Sequence, residues 1–329
     1  MENCELDMVL DCLGNHRRTF RYFKDKYCLD LLDGELAAAP GEAIALRELR
    51  KSRWAKFLHR PLLKSLIAGC GDGMLRRAQL STVWGEESMD FNLTLGSWRQ
   101  QDRYWQQTTR KGSSLVLQLN FDRRHNCAYQ RLLELSALSK YGRSHFNAKA
   151  GVHGRSGHPV NCARGFTMSW VRMDLDLDRG ECLIEEVQND WLRNCEGLAR
   201  GFEKYLGNNK TELVERRWPQ FRGHYREFIR YVNETLKPYR AIWAEVSLAA
   251  ALEFLRTEIG DVDIYYHSAD SGARLKGIRE YLPPRSLYTS LPEKFGFQLT
   301  DEVPAFLLND SFSRRCIKAI TVPVKFYRL

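Results

Sequence analysis

Apolar and polar residues along the chain follow two periods, one typical of helices and one typical of strands. Apolar residues at helical spacing predict one or two helices over 5–33 and further helices over 46–56, 125–140, 192–206, 222–236, 243–260 and 271–278. Alternation and short apolar runs predict strands over 114–121, 166–177, 181–191 (which runs into a helix), 262–268, 304–308 and 317–327. Strands that alternate with helices, next to antiparallel pairs, predict an α/β (α+β) fold: a mixed, largely antiparallel sheet flanked by helices.

These elements divide the chain into three regions. Residues 1–140 are predicted to form a basic, mostly helical N-terminal region, and residues 166–329 an α/β domain. The segment 141–165 is rich in Gly, His and Arg and lacks an apolar pattern, so it is predicted to be a surface loop or a linker. The chain has 329 residues, close to the upper size of a single hydrophobic core, so we expect one large or two small domains.

The net charge of +9 is concentrated in one part of the chain. Residues 47–150 contain 19 Lys and Arg against 8 Asp and Glu, a net charge of +11, and 35 of the 50 basic residues of the whole chain are Arg. Because a guanidinium grips phosphate through two parallel hydrogen bonds, this distribution predicts binding to nucleic acid or another polyanion. A merely solvated, Arg-rich surface is the alternative. The candidate nucleic-acid-binding residues are Arg50, Arg53, Lys56, Arg60 and Lys64, on one predicted helix face, and Arg99 and Arg103, which alternate with Trp98, Tyr104 and Trp105.

The cysteines and the hydropathy indicate a compartment. The chain has nine cysteines, an odd number, and none of them form a C-x-x-C pair, so reduced thiols in a cytoplasmic protein are expected and no metal site is predicted. No apolar run approaches the ~20 residues of a membrane span, and the acidic N-terminus does not resemble a secretory signal. We therefore expect no membrane partner, while the oligomeric state stays open.

The block IEEVQNDW at 184–191 collects polar side chains at the end of a predicted strand, where ligand-binding groups of α/β sheets often lie. Alternation along the strand places Glu186 and Gln188 on one face and Glu185 and Val187 on the other. A glutamate there could act as a general base. Alternatively, Asn189 or Asp190 caps the next helix and the block is structural. His267, at the end of a later strand, is either a base or a satisfied strand-end residue.

The segment 248–299 contains a long helix, the strand VDIYYHS, the short helix SGARLKGI, and Tyr288 ahead of the pair Gly296–Phe297. In this order these pieces resemble the C-terminal half of a GNAT-family N-acetyltransferase. The resemblance implies that acetyl-CoA is the cofactor and that Tyr288 protonates its leaving thiolate, with Glu186 as the base for the attacking amine. The run NCEGLARG approximates the family's Q/R-x-x-G-x-G/A pyrophosphate loop. The implied cofactor-binding residues are Gln188, Asn194, Gly197 and Ala199.

A second resemblance concerns EVQNDW, the later Trp243-Ala244-Glu245 and the stretch from Tyr288 to Phe297, which are similar to domains of phage and mobile-element proteins. The leading hypothesis is a GNAT-like N-acyltransferase that acts on a polyanion-associated acceptor, such as tRNA or a nucleic-acid-bound protein, in phage–host conflict. One alternative is a non-enzymatic nucleic-acid-binding protein of a mobile element or defence system with a degenerate GNAT-like scaffold. Another is a different transferase chemistry at the EVQNDW strand end.

Overall fold

A computed structural model describes residues 1–14, 18–99, 107–136, 146–147, 159–160, 166–208, 210–278 and 282–329. Its α-helices are α1 (Asn3–Leu13), α2 (Lys26–Ala38), α3 (Leu46–Leu49), α4 (Pro61–Ala68), α5 (Arg77–Leu80), α6 (Arg123–Leu135), α7 (Trp191–Gly207), α8 (Thr211–Arg217), α9 (Tyr225–Arg230), α10 (Lys237–Phe254), α11 (Ala269–Leu275), α12 (Ser290–Lys294), α13 (Ala305–Asn309) and α14 (Ser311–Ala319). Its strands are β1 (Arg18–Phe23), β2 (Ala43–Ala45), β3 (Met74–Arg76), β4 (Ser88–Trp98), β5 (Ser114–Asn120), β6 (Thr167–Asp176), β7 (Glu181–Gln188), β8 (Asp263–His267), β9 (Gln298–Thr300) and β10 (Phe326–Arg328).

Eight of these strands form one mixed sheet in the order β1-β4-β5-β6-β7-β8-β10-β9, and β2 pairs with β3 separately. Within the described residues, every neighbouring pair of the large sheet is antiparallel except β7 and β8, which run parallel. The predicted largely antiparallel sheet flanked by helices is confirmed. Helix α10 packs on one face of β6 and β7, whereas Phe306 of α13 and Leu275 of α11 pack with Leu183 and Tyr265 on the other face.

The hairpin predicted over 166–191 is confirmed as β6 and β7, joined at Gly180, whose positive φ of 61° suits glycine. The predicted long helix corresponds to α10 and a π-helical extension over Leu255–Ile259, which ends at Gly260. The predicted strand over 262–268 is β8. The apolar pattern therefore located the elements around the β7–β8 pair correctly.

Four elements differ from the sequence prediction. The segment 5–33 contains strand β1 between helices α1 and α2. The helix predicted over 46–56 is the short α3, a turn and a 3-10 helix over Ala55–His59. The Ser52 hydroxyl donates to the Leu49 carbonyl and accepts from the Trp54 amide, and such local bonds compete with helical ones. The strand predicted over 304–308 is helix α13, which follows Pro304, and in 317–327 only the last residues join a strand.

The large sheet takes strands from both sides of the 141–165 segment. Strands β1, β4 and β5 come from the region predicted as mostly helical, and β5 pairs directly with β6. The two sequence regions are thus hydrogen-bonded along one ladder. None of the helices in the described residues combines the length and the apolar character that a membrane crossing requires.

Candidate functional site

The two parallel strands β7 and β8 pair only along part of their length. Residues Glu181 to Ile184 of β7 pair with Asp263 to Tyr266 of β8, and residues 185–188 of β7 continue beyond that ladder. A cavity of about 680 Å³ lies beside this carboxyl end of β7, which we call the β7 cavity. Its walls are residues 186–189, the first turns of α7, the start of α10 and residues 282–284 and 287. Ligands of α/β sheets bind in such crevices beyond the carboxyl ends of strands.

A β-bulge sets which side chains of β7 face the cavity. Arg172 of β6 pairs with Glu186 and Met173 pairs with Ile184, so Glu185 is an extra residue in β7. Residues 186–188 line the cavity, and Glu185 is buried behind them. The predicted alternation is wrong at Glu185: this residue is inserted between the two regular pairs and contacts His267 and Lys276, whereas Val187 packs in the main core.

Glu186 is the carboxylate that the structure brings to the cavity wall. Its side chain is 13% exposed, and its Oε2 is 3.3 Å from the Arg172 Nη2. The Arg172 guanidinium is buried, lies 4.9 Å from the Trp98 ring centroid and donates to the Gln107 carbonyl. A fixed cation therefore lies beneath the carboxylate on the protein side, and the cavity lies on the other.

Tyr288 lies close to this carboxylate but is itself buried. It ends a 3-10 helix over Arg285–Tyr288, its ring is 5.9 Å from that of Tyr266, and its neighbour Leu287 lines the cavity. Burial, and then the negative charge of Glu186, raise the pKa of Tyr288 well above its usual value. The phenol is therefore protonated at neutral pH.

Behind the cavity wall, a group of polar side chains fills the space where β7 and β8 separate. The buried Glu185 accepts from the Thr109 amide at 2.9 Å, and its Oε2 is 3.2 Å from the Lys276 Nζ and 3.4 Å from the His267 Nε2. Lys276 also donates to the Glu185 carbonyl. Burial opposes ionisation of Glu185, but the charge of Lys276 and the contact with His267 hold the pKa of this carboxyl well below its usual value.

His267 is satisfied within the same group. Its Nε2 is 2.7 Å from the Thr109 Oγ1, and its Nδ1 is 3.1 Å from the Ser271 Oγ. Burial, together with the positive charge of Lys276, lowers the pKa of His267 to about 4, so the imidazole is neutral at physiological pH. The sequence left two roles open for His267: a base, or a strand-end residue whose hydrogen bonds are satisfied. The geometry corresponds to the second role.

The residues implied as a pyrophosphate loop lie inside a helix. Asn194, Gly197 and Ala199 belong to α7, which begins at Trp191, and the Asn194 amide already donates to the Asp190 carbonyl. The loop expected at 194–201 is therefore wrong, because Trp191 and Leu192 bury their side chains and start the helix earlier. The Asn194 side chain donates to the Phe146 carbonyl, Ala199 is buried, and Gly197 is exposed.

The start of α7 shows which polar residues of the EVQNDW block are structural. The Asn189 Oδ1 accepts from the Arg193 amide at 3.2 Å, so Asn189 supplies the capping bond. The buried Asp190 carboxylate accepts from Gln188 and Arg193. Trp191 donates to the Tyr231 hydroxyl at 2.8 Å within a cluster of aromatic rings. Leu192 and Arg193, in the first turn of α7, line the cavity.

The basic residues predicted to share a helix face do not share a helix. Arg50 and Arg53 lie in the turn after α3, Lys56 in the 3-10 helix and Lys64 in α4. Lys56 donates to the Glu293 carbonyl, and Arg60 is 3.8 Å from the Asp25 Oδ1, whereas Arg50, Arg53 and Lys64 are exposed. Arg99 forms an ion pair with Asp7. Arg103, Tyr104 and Trp105 lie outside the described residues.

Sequence reasoning did not identify Arg172, Lys276 or Thr109. Arg172 carried a usable sign, because it shares a face of β6 with Trp170 in the middle of a predicted sheet strand, and a buried charge in such a position requires a partner. Lys276 and Thr109 gave no such sign, since Lys276 is 91 residues from Glu185 and Thr109 is 76 residues from it. In the part of the chain that the structure describes, no group of His, Cys, Asp and Glu is arranged to hold a metal ion.

Comparison with known proteins supplies no relative for this arrangement. No protein-family model, no curated protein and no solved structure matches the chain.

Proposed function

We propose that the chain is a GNAT-like acyltransferase that binds acyl-coenzyme A in the β7 cavity and transfers the acyl group to an amine. The observation that carries the proposal is the separation of β7 and β8, the parallel pair of an otherwise antiparallel sheet, next to a cavity with Glu186 in its wall. The GNAT-like resemblance of 248–299 is consistent with this site, because Ile278, Leu282 and Leu287 of that segment line the cavity and Tyr288 follows Leu287. A cavity of this volume falls within the usual range of ligand sites, about 300–1,000 Å³.

The residues of the cavity fit the two chemically different parts of acyl-coenzyme A. Leu192, Trp243, Leu282 and Leu287 give apolar walls for the pantetheine arm. Arg193 and Arg240 bring guanidinium groups to the same cavity, and a guanidinium suits a diphosphate. Arg193 stands in the first turn of α7, where the helix N-terminus also favours an anion. Asn194, Gly197 and Ala199 lie inside α7 and form no loop. The first turn of α7 is therefore proposed to bind the diphosphate that the expected loop would have bound.

The bound cofactor would supply a thioester carbonyl as the acyl donor. Glu186, in the cavity wall, accepts a proton from the attacking amine as the new C–N bond forms. Tyr288, which is protonated at neutral pH, donates a proton as the C–S bond breaks and the thiol leaves. One proton is taken up and one is released, so the two side chains return to their starting states by exchange with solvent.

The acceptor is proposed to be an amine on, or bound to, a nucleic acid, following the excess of basic residues. Transfer to tRNA and a role in phage–host conflict stay predictions that rest on the sequence resemblance alone.

The experiment that tests the proposal is thermal unfolding with acetyl-CoA, followed by release of free thiol in the presence of primary amines. We expect acetyl-CoA to raise the melting temperature, because a ligand at 100 times its dissociation constant stabilises the native state by about 2.7 kcal/mol. Glu186→Gln should bind acetyl-CoA but lose at least ~100-fold in thiol release, the usual contribution of a general base. The matched control is Glu203→Gln, on α7 but outside the cavity wall.

Two outcomes would contradict the proposal. One is an unchanged melting temperature at millimolar acetyl-CoA, which would favour the non-enzymatic alternative. The other is full activity of Glu186→Gln, which would remove Glu186 from the reaction.

A further inference from the structure

The helical segment between β7 and β8 carries a second, separate feature. Residues 191–240 contain 11 Lys and Arg against 6 Asp and Glu. Within it, α7 lies beside the segment from α9 to α10: the Arg240 Nη1 is 2.9 Å from the Glu196 Oε1, and the Asn233 Nδ2 is 3.4 Å from the Glu203 Oε1. Glu196, early in α7, contacts the later Arg240, and Glu203, late in α7, contacts the earlier Asn233. The two helical segments therefore run antiparallel and form one layer.

The inner side of this layer is apolar and the outer side is basic. Cys195 and Phe202 of α7, and Phe228 of α9 with Val232, are buried in the core. The opposite sides face solvent. We define the basic face as the exposed residues Arg193, Arg200, Lys204, Arg226, Arg230 and Lys237.

Most of these charges are free to meet a partner. Within the described residues, Arg200, Arg226 and Arg230 form no ion pair with any carboxylate, while Glu196 and Glu203 lie in the seam between the two helical segments. Among the described residues, Glu227 and Glu234 form no ion pair with Arg226 or Arg230 either, and the 191–240 segment keeps its 11 basic against 6 acidic residues. A row of uncompensated guanidinium groups attracts an anion with repeated charges.

The dimensions suit a nucleic-acid duplex. Arg193, Arg200 and Lys204 follow one side of α7 over about 16 Å, at 1.5 Å per residue. Each strand of a duplex presents one phosphate charge per about 3.4 Å of its axis, so this row spans roughly five phosphates of one strand. Arg, which binds phosphate bidentately, dominates the face.

The surface lacks what a protein partner would need. Every exposed large apolar side chain of the described residues, among them Trp84 and Leu282, lies outside 191–240. Specific protein–protein interfaces have an apolar core, whereas interfaces with nucleic acid are polar and positively charged. The composition of the face therefore favours a polyanion.

We propose that the basic face binds the phosphate backbone of a nucleic-acid duplex without reading its sequence. Arg193 belongs both to this face and to the wall of the β7 cavity, so a bound duplex lies along the mouth of the cavity. The proposal does not depend on acyl transfer, since it rests on the outer side of α7 and α9. It also places the nucleic-acid site away from the Arg50–Lys64 segment that the sequence predicted.

The test compares two variants that lose the same charge. Arg200→Gln/Arg226→Gln/Arg230→Gln removes three cations from the basic face, and Arg50→Gln/Arg53→Gln/Lys64→Gln removes three exposed cations elsewhere. Binding of a fluorescent 20-base-pair duplex, as RNA and as DNA of the same sequence, is measured by anisotropy between 50 and 300 mM NaCl. Polyglutamate and the single strand serve as competitors, and thermal unfolding confirms that both variants are folded.

We expect wild type and the control variant to bind the duplex with the same affinity and salt dependence. The basic-face variant should bind at least tenfold more weakly, with a slope of log Kd against log [NaCl] that is smaller by about 2 to 3, since each phosphate contact contributes about 0.9. Equal binding by both variants, or an equal loss in both, would overturn the proposal. Displacement of the duplex by polyglutamate or by the single strand at similar concentration would overturn the assignment to a duplex. If the triple variant unfolds, Arg200→Glu alone gives the same comparison.

Discussion

Arg172 and Glu186 face each other across the β6–β7 ladder, with the Arg172 Nη2 3.3 Å from the Glu186 Oε2. The guanidinium is buried, whereas the carboxylate reaches the β7 cavity. This pair joins the bulged part of β7 to the centre of the sheet, so it serves the stability of the fold as well as the position of the proposed base.

Replacing Arg172 by Met should be costly, because it leaves the Glu186 carboxylate without its partner in a mostly buried position. We expect a loss of about 3 kcal/mol in the free energy of unfolding, typical of breaking a buried ion pair. Urea unfolding measures this loss. Arg179→Met, which removes an exposed arginine paired with Asp176, is the control and should change stability by less than about 1 kcal/mol. Equal losses in both variants would contradict the structural role of Arg172.

Tyr288→Phe removes the proposed proton donor and keeps the buried ring. We expect acyl transfer to fall by about 100-fold, the size of a general-acid contribution, while acetyl-CoA still raises the melting temperature. Tyr265→Phe on β8 is the matched control, because the Tyr265 ring packs on the opposite side of the sheet in the cluster with Leu183. A Tyr288→Phe variant that transfers the acyl group at the wild-type rate would assign the proton to another donor.

Two buried histidines make the fold sensitive to mild acid. Burial lowers the pKa of His267 to about 4 and that of His125 to about 3, so both are neutral in the folded protein near pH 7. In the unfolded chain the pKa of His is about 6.5, so the unfolded state binds more protons as the pH falls below that value. Their stabilising contribution is thus complete above pH 6.5 and is lost progressively towards pH 4.

Between pH 7.5 and pH 5, each histidine should reduce the free energy of unfolding by about 2 kcal/mol, since one pKa unit corresponds to about 1.4 kcal/mol. His267→Gln should make this decline shallower by that amount, and His224→Gln, at the partly exposed start of α9, should leave it as in wild type. Urea unfolding at the two pH values measures the difference. An identical decline in His267→Gln and wild type would show that His267 is not kept neutral by burial.

Glu196→Gln should strengthen binding of acetyl-CoA. Glu196 holds the Arg240 Nη1 at 2.9 Å, and both side chains line the cavity, so the substitution releases a guanidinium for the diphosphate. We expect a dissociation constant three- to fivefold lower, in line with about 0.5–1 kcal/mol for a half-exposed ion pair. Titration calorimetry measures the constant, with Glu203→Gln as the control. Weaker binding in Glu196→Gln would place the diphosphate away from Arg240.

The pattern of apolar residues was sufficient to predict the β6–β7 hairpin, α10 and β8, because each of these elements is buried over most of its length and is therefore rich in apolar residues. The same reasoning overlooked β1, whose six residues lie between two helices and read as part of one helical stretch. It also read 304–308 as a strand, because a five-residue apolar run fits a strand and a short helix equally well.

The candidate site was only partly predictable for a related reason. Glu186 and Gln188 stood out because they cluster at one strand end. The partners that define their surroundings come from distant parts of the chain: Thr109 contacts both Glu185 and His267, and Lys276 contacts Glu185 from α11. Strand alternation describes one strand at a time, so it does not show which residues of other elements meet it.

The bulge at Glu185 adds a second carboxylate to the strand without disturbing the first. Met173 lies opposite Ile184 and Arg172 opposite Glu186, so these two pairs alternate as in a regular ladder and Glu185 is inserted between them. Removal of Glu185 would leave Glu186 opposite Arg172 and would take away the carboxylate that contacts His267 and Lys276. The spacing of residues along β7 is therefore as decisive for chemistry as their identity.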